Sequence, residues 1–83
     1  MRRLVLYGRP DCHLCEEARQ IISGLVEEAG DVVLIEQNIE DDDSLHKRFL
    51  ERIPVIELDG FIVGELVPDP GRLRSTLLNT AAR

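Results

Sequence analysis

Apolar residues gather in runs along the 83-residue chain, and the period of the runs changes from segment to segment. Leu4-Val5-Leu6-Tyr7 is continuous, which suits a strand covered on both faces in a parallel or mixed sheet. It breaks at Gly8-Arg9-Pro10-Asp11, a loop. From His13 to about Ala29 the spacing becomes helical: Leu14, Ala18, Ile21, Leu25 and Ala29 share one face, and Ile22 and Val26 widen it. Glu16, Glu17, Arg19, Gln20, Glu27 and Glu28 take the other side, and Gly30 supplies a stop. Val32-Val33-Leu34-Ile35 is a second, β-branched run. Strand, helix and strand within about 30 residues predict a crossover unit with parallel strands.

Glu40-Asp41-Asp42-Asp43-Ser44 then offers capping groups and negative charge before a short helix to about Glu51, with Leu45 and Phe49 inside. A calcium loop would need alternating oxygen ligands and a glycine, so the acidic run reads as a solvated helix entrance. Arg52-Ile53-Pro54-Val55-Ile56-Glu57-Leu58 and Phe61-Ile62-Val63 flank Asp59-Gly60, the strongest short hairpin signal. Gly64 and Glu65 are expected to end the second of these runs. Asp69-Pro70 predicts an N-cap and first helical position. Leu73, Leu77 and Leu78 would face inward from this last helix, and Arg72, Arg74, Asn79 and Arg83 outward. The order is βαβ–α–ββ–α, an α/β chain forming one domain over residues 1–83, without linker or repeat.

Charge narrows the function. Ten Lys and Arg against 16 Asp and Glu leave a formal net charge of −6, which opposes non-specific binding to nucleic acid or an anionic membrane. The apolar start is too short for a signal peptide or a membrane span, so a reducing cytoplasm is the expected location. Two cysteines spaced this closely are not the framework of a disulfide-rich secreted scaffold.

The chemistry concentrates at Cys12-His13-Leu14-Cys15, at the mouth of the first helix. The first helical amides lack intrahelical partners and carry partial positive charge. A sulfur there is held more easily as thiolate than a free cysteine, whose pKa is about 8.5. Cys15 lies one turn further along the same face, within disulfide reach of Cys12. Such a pair reads as a redox motif, Cys12 attacking and Cys15 resolving. A structural zinc site would need four ligands; the other candidates are His13 and His46, and His13 should face away from the cysteines on a helix, so zinc would need a second chain. His13, if cationic, would favour the Cys12 thiolate; the alternative is an exposed helical residue with little coupling. Asp11 opposes a second negative charge at Cys12, and Arg9 offsets part of that effect. Tyr7 reads as strand core, and Arg52 as a solvated cation rather than a contact for an acidic partner.

This element order, with Cys12-His13-Leu14-Cys15 after the first strand and Ile53-Pro54 before the third, resembles the thioredoxin superfamily. The compact length looks most like its glutaredoxin-like branch. The resemblance implies a thioredoxin-like three-layer fold with a four-stranded mixed sheet. It also implies a cis peptide bond at Pro54 beside the cysteines, with the Ile53 backbone open to a substrate peptide. A proline beginning a strand would be tolerated without any such role. Glutaredoxins usually carry Pro-Tyr between the cysteines, and a Gly-Gly with a following acidic residue after the hairpin. Here stand His13-Leu14, and Gly64-Glu65 with a longer path to Asp69. By the same resemblance, Arg9 matches a contact for a glutathione carboxylate, while Glu65 would crowd and repel that tripeptide.

The expected activity is thiol–disulfide exchange on a protein or small-molecule disulfide, with no metal or bound organic cofactor. Glutathione, a candidate co-substrate, or a flavin reductase would supply electrons. The candidate site is Cys12 and Cys15 for catalysis, with Arg9, His13, Ile53 and Pro54 for substrate. Two alternatives belong to other classes. One is a dimeric binding module bridged by a metal or an iron–sulfur cluster. The other is an adaptor that recognises partners without turnover.

Overall fold

The computed structural model describes residues 1–79. Strand β1 (Arg2–Gly8) runs through the middle of the sheet, between β2 (Val32–Asn38) and β3 (Val55–Leu58). β2 is parallel to β1, with Arg2 opposite Val32 and Gly8 opposite Asn38. β3 is antiparallel to β1, and β4 (Phe61–Glu65) completes the order β2-β1-β3-β4. Helix α1 (His13–Ala29) makes the parallel crossover; α2 (Asp43–Phe49) and α3 (Pro70–Asn79) follow β2 and β4. The mixed four-stranded sheet expected from the sequence is present.

Alternation along the strands divides the interior into two layers. Leu4, Leu6, Ile56 and Leu58 pack with Ala18, Ile22 and Leu25 of α1 and with Leu73 and Leu77 of α3. Tyr7 and Val55, on the other face, pack with Phe49 and Leu45 of α2, with Ile39 and Ile53, and with both cysteines. The cover expected on both faces of β1 is therefore unequal. Leu4 and Leu6 are buried, whereas Val5 and Tyr7 are half-buried, because short α2 shields only part of the second face.

The buried stripe of α1 is rotated from the expected one. Cys15, Ala18, Ile22 and Leu25 are buried, while Leu14 is 40 % exposed. A helix turns about 100° per residue, so seating Cys15 inward swings Leu14 outward. The helix ends as expected: Gly30 takes φ 79°, and its N–H donates to the Val26 carbonyl at 3.1 Å.

β2 outlasts its apolar run, since pairing with β1 continues through Glu36, Gln37 and Asn38. The acidic run caps rather than chelates. Asn38 Oδ1 accepts from the Glu40 N–H at 2.9 Å before a 3-10 turn over Ile39–Asp41. Asp42 Oδ1 accepts from the N–H groups of Ser44 (2.8 Å) and Leu45 (3.1 Å). Phe49 is buried and Leu45 half-buried; α2 closes at Phe49, two residues before the expected end.

The hairpin turns at Asp59 (φ 48°) and Gly60 (φ 92°), the paired positive angles of a type I′ turn. Strand β4 runs on through Gly64 and ends at Glu65, so both belong to it. They pair with Ile56 and Val55 across a bulge that accommodates Val63. Asp69 Oδ1 accepts from the Gly71 N–H at 2.9 Å, the expected cap of α3. Leu73 and Leu77 are buried, Leu78 is half-buried, and Arg72 and Arg74 are exposed; Arg83 and the Asn79 side chain lie outside the described residues. Arg74 donates to both oxygens of Glu28 at 2.5 and 2.6 Å, tying α3 to α1 and holding the Glu28 carboxyl below its usual range.

Gly24 sits on the exposed side of α1, and a Cβ added there meets nothing within 4 Å. Gly24→Ala is expected to stabilise the domain by about 0.5–1 kcal/mol, since it restricts only the unfolded chain. A urea midpoint that rises at constant slope checks this.

Candidate active site

The site begins where β1 stops. Asp11 takes φ 61°, a left-handed angle that Asp tolerates better than most residues. That turn delivers Cys12 as the N-cap of α1, in extended conformation (φ −101°, ψ 106°). Cys12 Sγ accepts from the Cys15 N–H at 3.2 Å, so the cap is the sulfur itself. Cys12 and Cys15 form a disulfide, with Cα atoms 5.2 Å apart. Cys12 is half-buried and Cys15 is buried, which leaves Cys12 the more approachable sulfur. When the bond is reduced, a thiolate at Cys12 faces the positive end of the helix.

One residue that shapes this joint is legible in the sequence only as a strand breaker. Gly8 ends β1 directly against the inner cysteine. A Cβ on Gly8 would lie 3.1 Å from Cys15 Sγ and 3.2 Å from Cys15 Cβ. A glycine at a strand end is a signal of such close approach.

An open groove of about 780 Å³ runs from the disulfide toward the end of β2. Arg9, Cys12, His13 and Cys15 line it together, facing Glu36, Gln37 and Asn38. Ile53 and Pro54 do not line it. They belong to the layer beneath, where Ile53 packs in one cluster with Cys12 and Cys15 and Pro54 is fully buried. The Ile53–Pro54 peptide bond is cis. The Ile53 N–H donates to the Phe49 carbonyl at 3.0 Å, so of its backbone polar groups the carbonyl is the one left without a partner among the described residues.

Charges around the groove are largely committed. His13 Nε2 lies 3.4 Å from Glu17 Oε1, one turn along the helix, and its ring is 87 % exposed. The His13 ring is thus exposed and turned toward the Glu17 carboxylate. Arg19 pairs with Glu16, whose carboxyl it holds below the usual range, and approaches Glu36 at 4.0 Å. Arg52 is not simply solvated: its Nε and Nη2 donate to Glu65 Oε2 at 3.0 and 2.5 Å. The expected repelling carboxylate therefore has an internal counter-ion. Tyr7, read as strand core, is half-buried; its ring packs on Phe49 at 4.8 Å and its hydroxyl donates to Glu57 at 3.2 Å. Burial, then the Glu57 carboxylate, pushes the Tyr7 phenol above its ordinary 10.0. Among the described residues, no cluster of three or more His, Cys, Asp or Glu side chains could hold a metal ion. Nor, among them, is any helix long and apolar enough to cross a membrane.

The profile of the glutaredoxin-like domain (DUF836) matches residues 3–77. The chain belongs to the glutaredoxin-like domain family. Among solved structures, protein XcR50 from X. campestris is 32 % identical with a TM-score of 0.69, over 89 % of this chain and 93 % of that one. Protein Ne2328 from Nitrosomonas europaea is 27 % identical with a TM-score of 0.74, over 96 % and 89 %. Thioredoxin from Trypanosoma brucei brucei is 14 % identical, covering all of this chain and 77 % of its own, with a TM-score of 0.73. That last likeness is one of fold, and the fold of this glutaredoxin-like chain is thioredoxin-like. No curated protein matches the sequence significantly. The family, the fold and the bonded cysteine pair fit a redox role.

Two measurements probe the glutaredoxin-like site. Gly8→Ala presses a methyl group on a sulfur that cannot retreat while bonded, and is expected to destabilise the oxidised form by about 1–2 kcal/mol in urea unfolding. Tyr7 is the one tyrosine in a chain without tryptophan, so phenolate absorbance reports it alone. Its midpoint should lie above 10.0, and Glu57→Gln should bring it back toward that value. Because the folded-state pKa is raised, Tyr7 contributes stability that is complete below the unfolded pKa. That contribution is lost as pH rises through the folded one.

Proposed function

We propose that this chain is a thiol–disulfide oxidoreductase that reduces protein or small-molecule disulfides. The observation that carries the reading is the stacking of two sulfurs at one helix mouth, Cys12 at the cap and Cys15 buried one turn in. The Cys12 thiolate attacks one sulfur of the substrate disulfide. A mixed disulfide forms, and the first substrate sulfur leaves as a thiolate that takes a proton. Cys15, once deprotonated, attacks the Cys12 sulfur and releases the second substrate thiol. Two electrons have then passed to the substrate, and Cys12 and Cys15 are joined. An external thiol, either glutathione or the dithiol of a flavin-linked reductase, returns the pair to its reduced form. A reducing cytoplasm suits that cycle.

The helix end supports the division of labour. Its amides and dipole favour charge on the outer sulfur, while burial raises the cost of a lasting charge on the inner one. Arg9 lines the groove beside Cys12, and in this reading it meets an anionic part of the substrate.

Trapping tests the roles. Reduced Cys15→Ser offered a disulfide peptide is expected to accumulate a mixed disulfide on Cys12, seen as an added mass that dithiothreitol removes. Cys12→Ser is expected to accumulate less than a tenth as much, since its remaining sulfur is buried. Equal trapping by both variants overturns the assignment.

A further inference from the structure

The segment that carries the cis bond is gripped from two sides. On one, the Phe49 carbonyl accepts from the N–H groups of Arg52 (2.8 Å) and Ile53 (3.0 Å). On the other, the Leu66 N–H lies 3.1 Å from the Arg52 carbonyl and 3.0 Å from that of Pro54. Leu66 reaches them by adopting φ 61°, an angle an L side chain seldom takes. The residue before it, Glu65, grips the same segment through its side chain, accepting from Arg52 Nε and Nη2. Arg52 also lies over the Phe49 ring, 5.4 Å from its centroid, so the ion pair is tied to the layer that holds the cysteines.

We infer that Glu65 is a positioning residue: its ion pair with Arg52 holds the Ile53–Pro54 segment, and with it the uncommitted Ile53 carbonyl, for a polypeptide strand carrying the substrate disulfide. This rests on the oxidoreductase reading above. A backbone carbonyl recognises a backbone N–H, and its worth depends on being held still, because a wandering acceptor must be ordered anew at each encounter. The Glu65 carboxylate has Arg52 as its counter-ion. Both side chains are about 40 % exposed, at 42 % and 38 %, so salt weakens the clamp and its energetic share is that of a surface pair.

The test is single-turnover reduction of a disulfide-bonded peptide by pre-reduced protein, with the half-saturating peptide concentration as the readout. Glu65→Ala and Arg52→Ala are each expected to raise that concentration about three- to fivefold, the range of an exposed ion pair. The limiting rate should stay within twofold, as should alkylation of Cys12 by iodoacetamide, which needs no strand contact. The exchanged pair Arg52→Glu with Glu65→Arg should return half-saturation toward the original value. Unchanged half-saturation in Glu65→Ala overturns the inference, as does a fall in alkylation as large as the loss of peptide affinity. Failure of the unaltered protein to reduce the peptide, with Cys12 still alkylated, overturns the oxidoreductase reading and this inference together.

Discussion

The amides that open α1 have no carbonyls to meet inside the helix, and the group that answers them is the sulfur of Cys12. Much of the local structure follows from that joint. Once the outer sulfur is the cap, helical geometry places Cys15 on the inward face and Leu14 on the outward one. The inward sulfur then lies against the end of β1, where Gly8 leaves it room. β1 is paired with β3 as far as Tyr7 and with β2 through Gly8, so the strand end beneath the sulfur is tied to β2.

The two apolar layers have different work. The larger one, between the sheet and α1 with α3, contains aliphatic side chains and supplies cohesion. The smaller one, under α2, contains the disulfide together with Phe49, Ile53 and Val55. Residues remote in sequence meet the cysteines there because Tyr7 and Val55 project from neighbouring strands to the same face. This is how a segment some 40 positions along the chain comes to share a layer with Cys12.

Net negative charge suggests at first a surface with little use for anions, but the distribution is more particular than the total. Arg2, Arg19, Arg52 and Arg74 each pair with a carboxylate and serve the fold. Arg9, on the loop between β1 and α1, lines the groove beside the reactive pair. A chain with a formal net charge of −6 therefore still carries a local cation beside its cysteine pair.

The order of elements, the helix caps at Gly30 and Asp69, a cap for α2 somewhere in residues 40–44, the Asp59-Gly60 hairpin and the cysteine pair could all be read along the chain. Each depends on residues a few positions apart, where period and turn chemistry act directly. What could not be read depended on contact between distant segments. Pairing with β1 carried β2 past its apolar run, a bulge drew Gly64 and Glu65 into β4, and seating Cys15 rotated the buried face of α1. Arg52 looked like a solvated cation and Glu65 like a carboxylate facing a substrate, and only the return of β4 alongside β3 brought them together. Local spacing thus determined that two sulfurs meet at one helix mouth, and tertiary packing decided what stands around them, because a side chain's partner across the sheet is set by strand register and not by its neighbours in sequence.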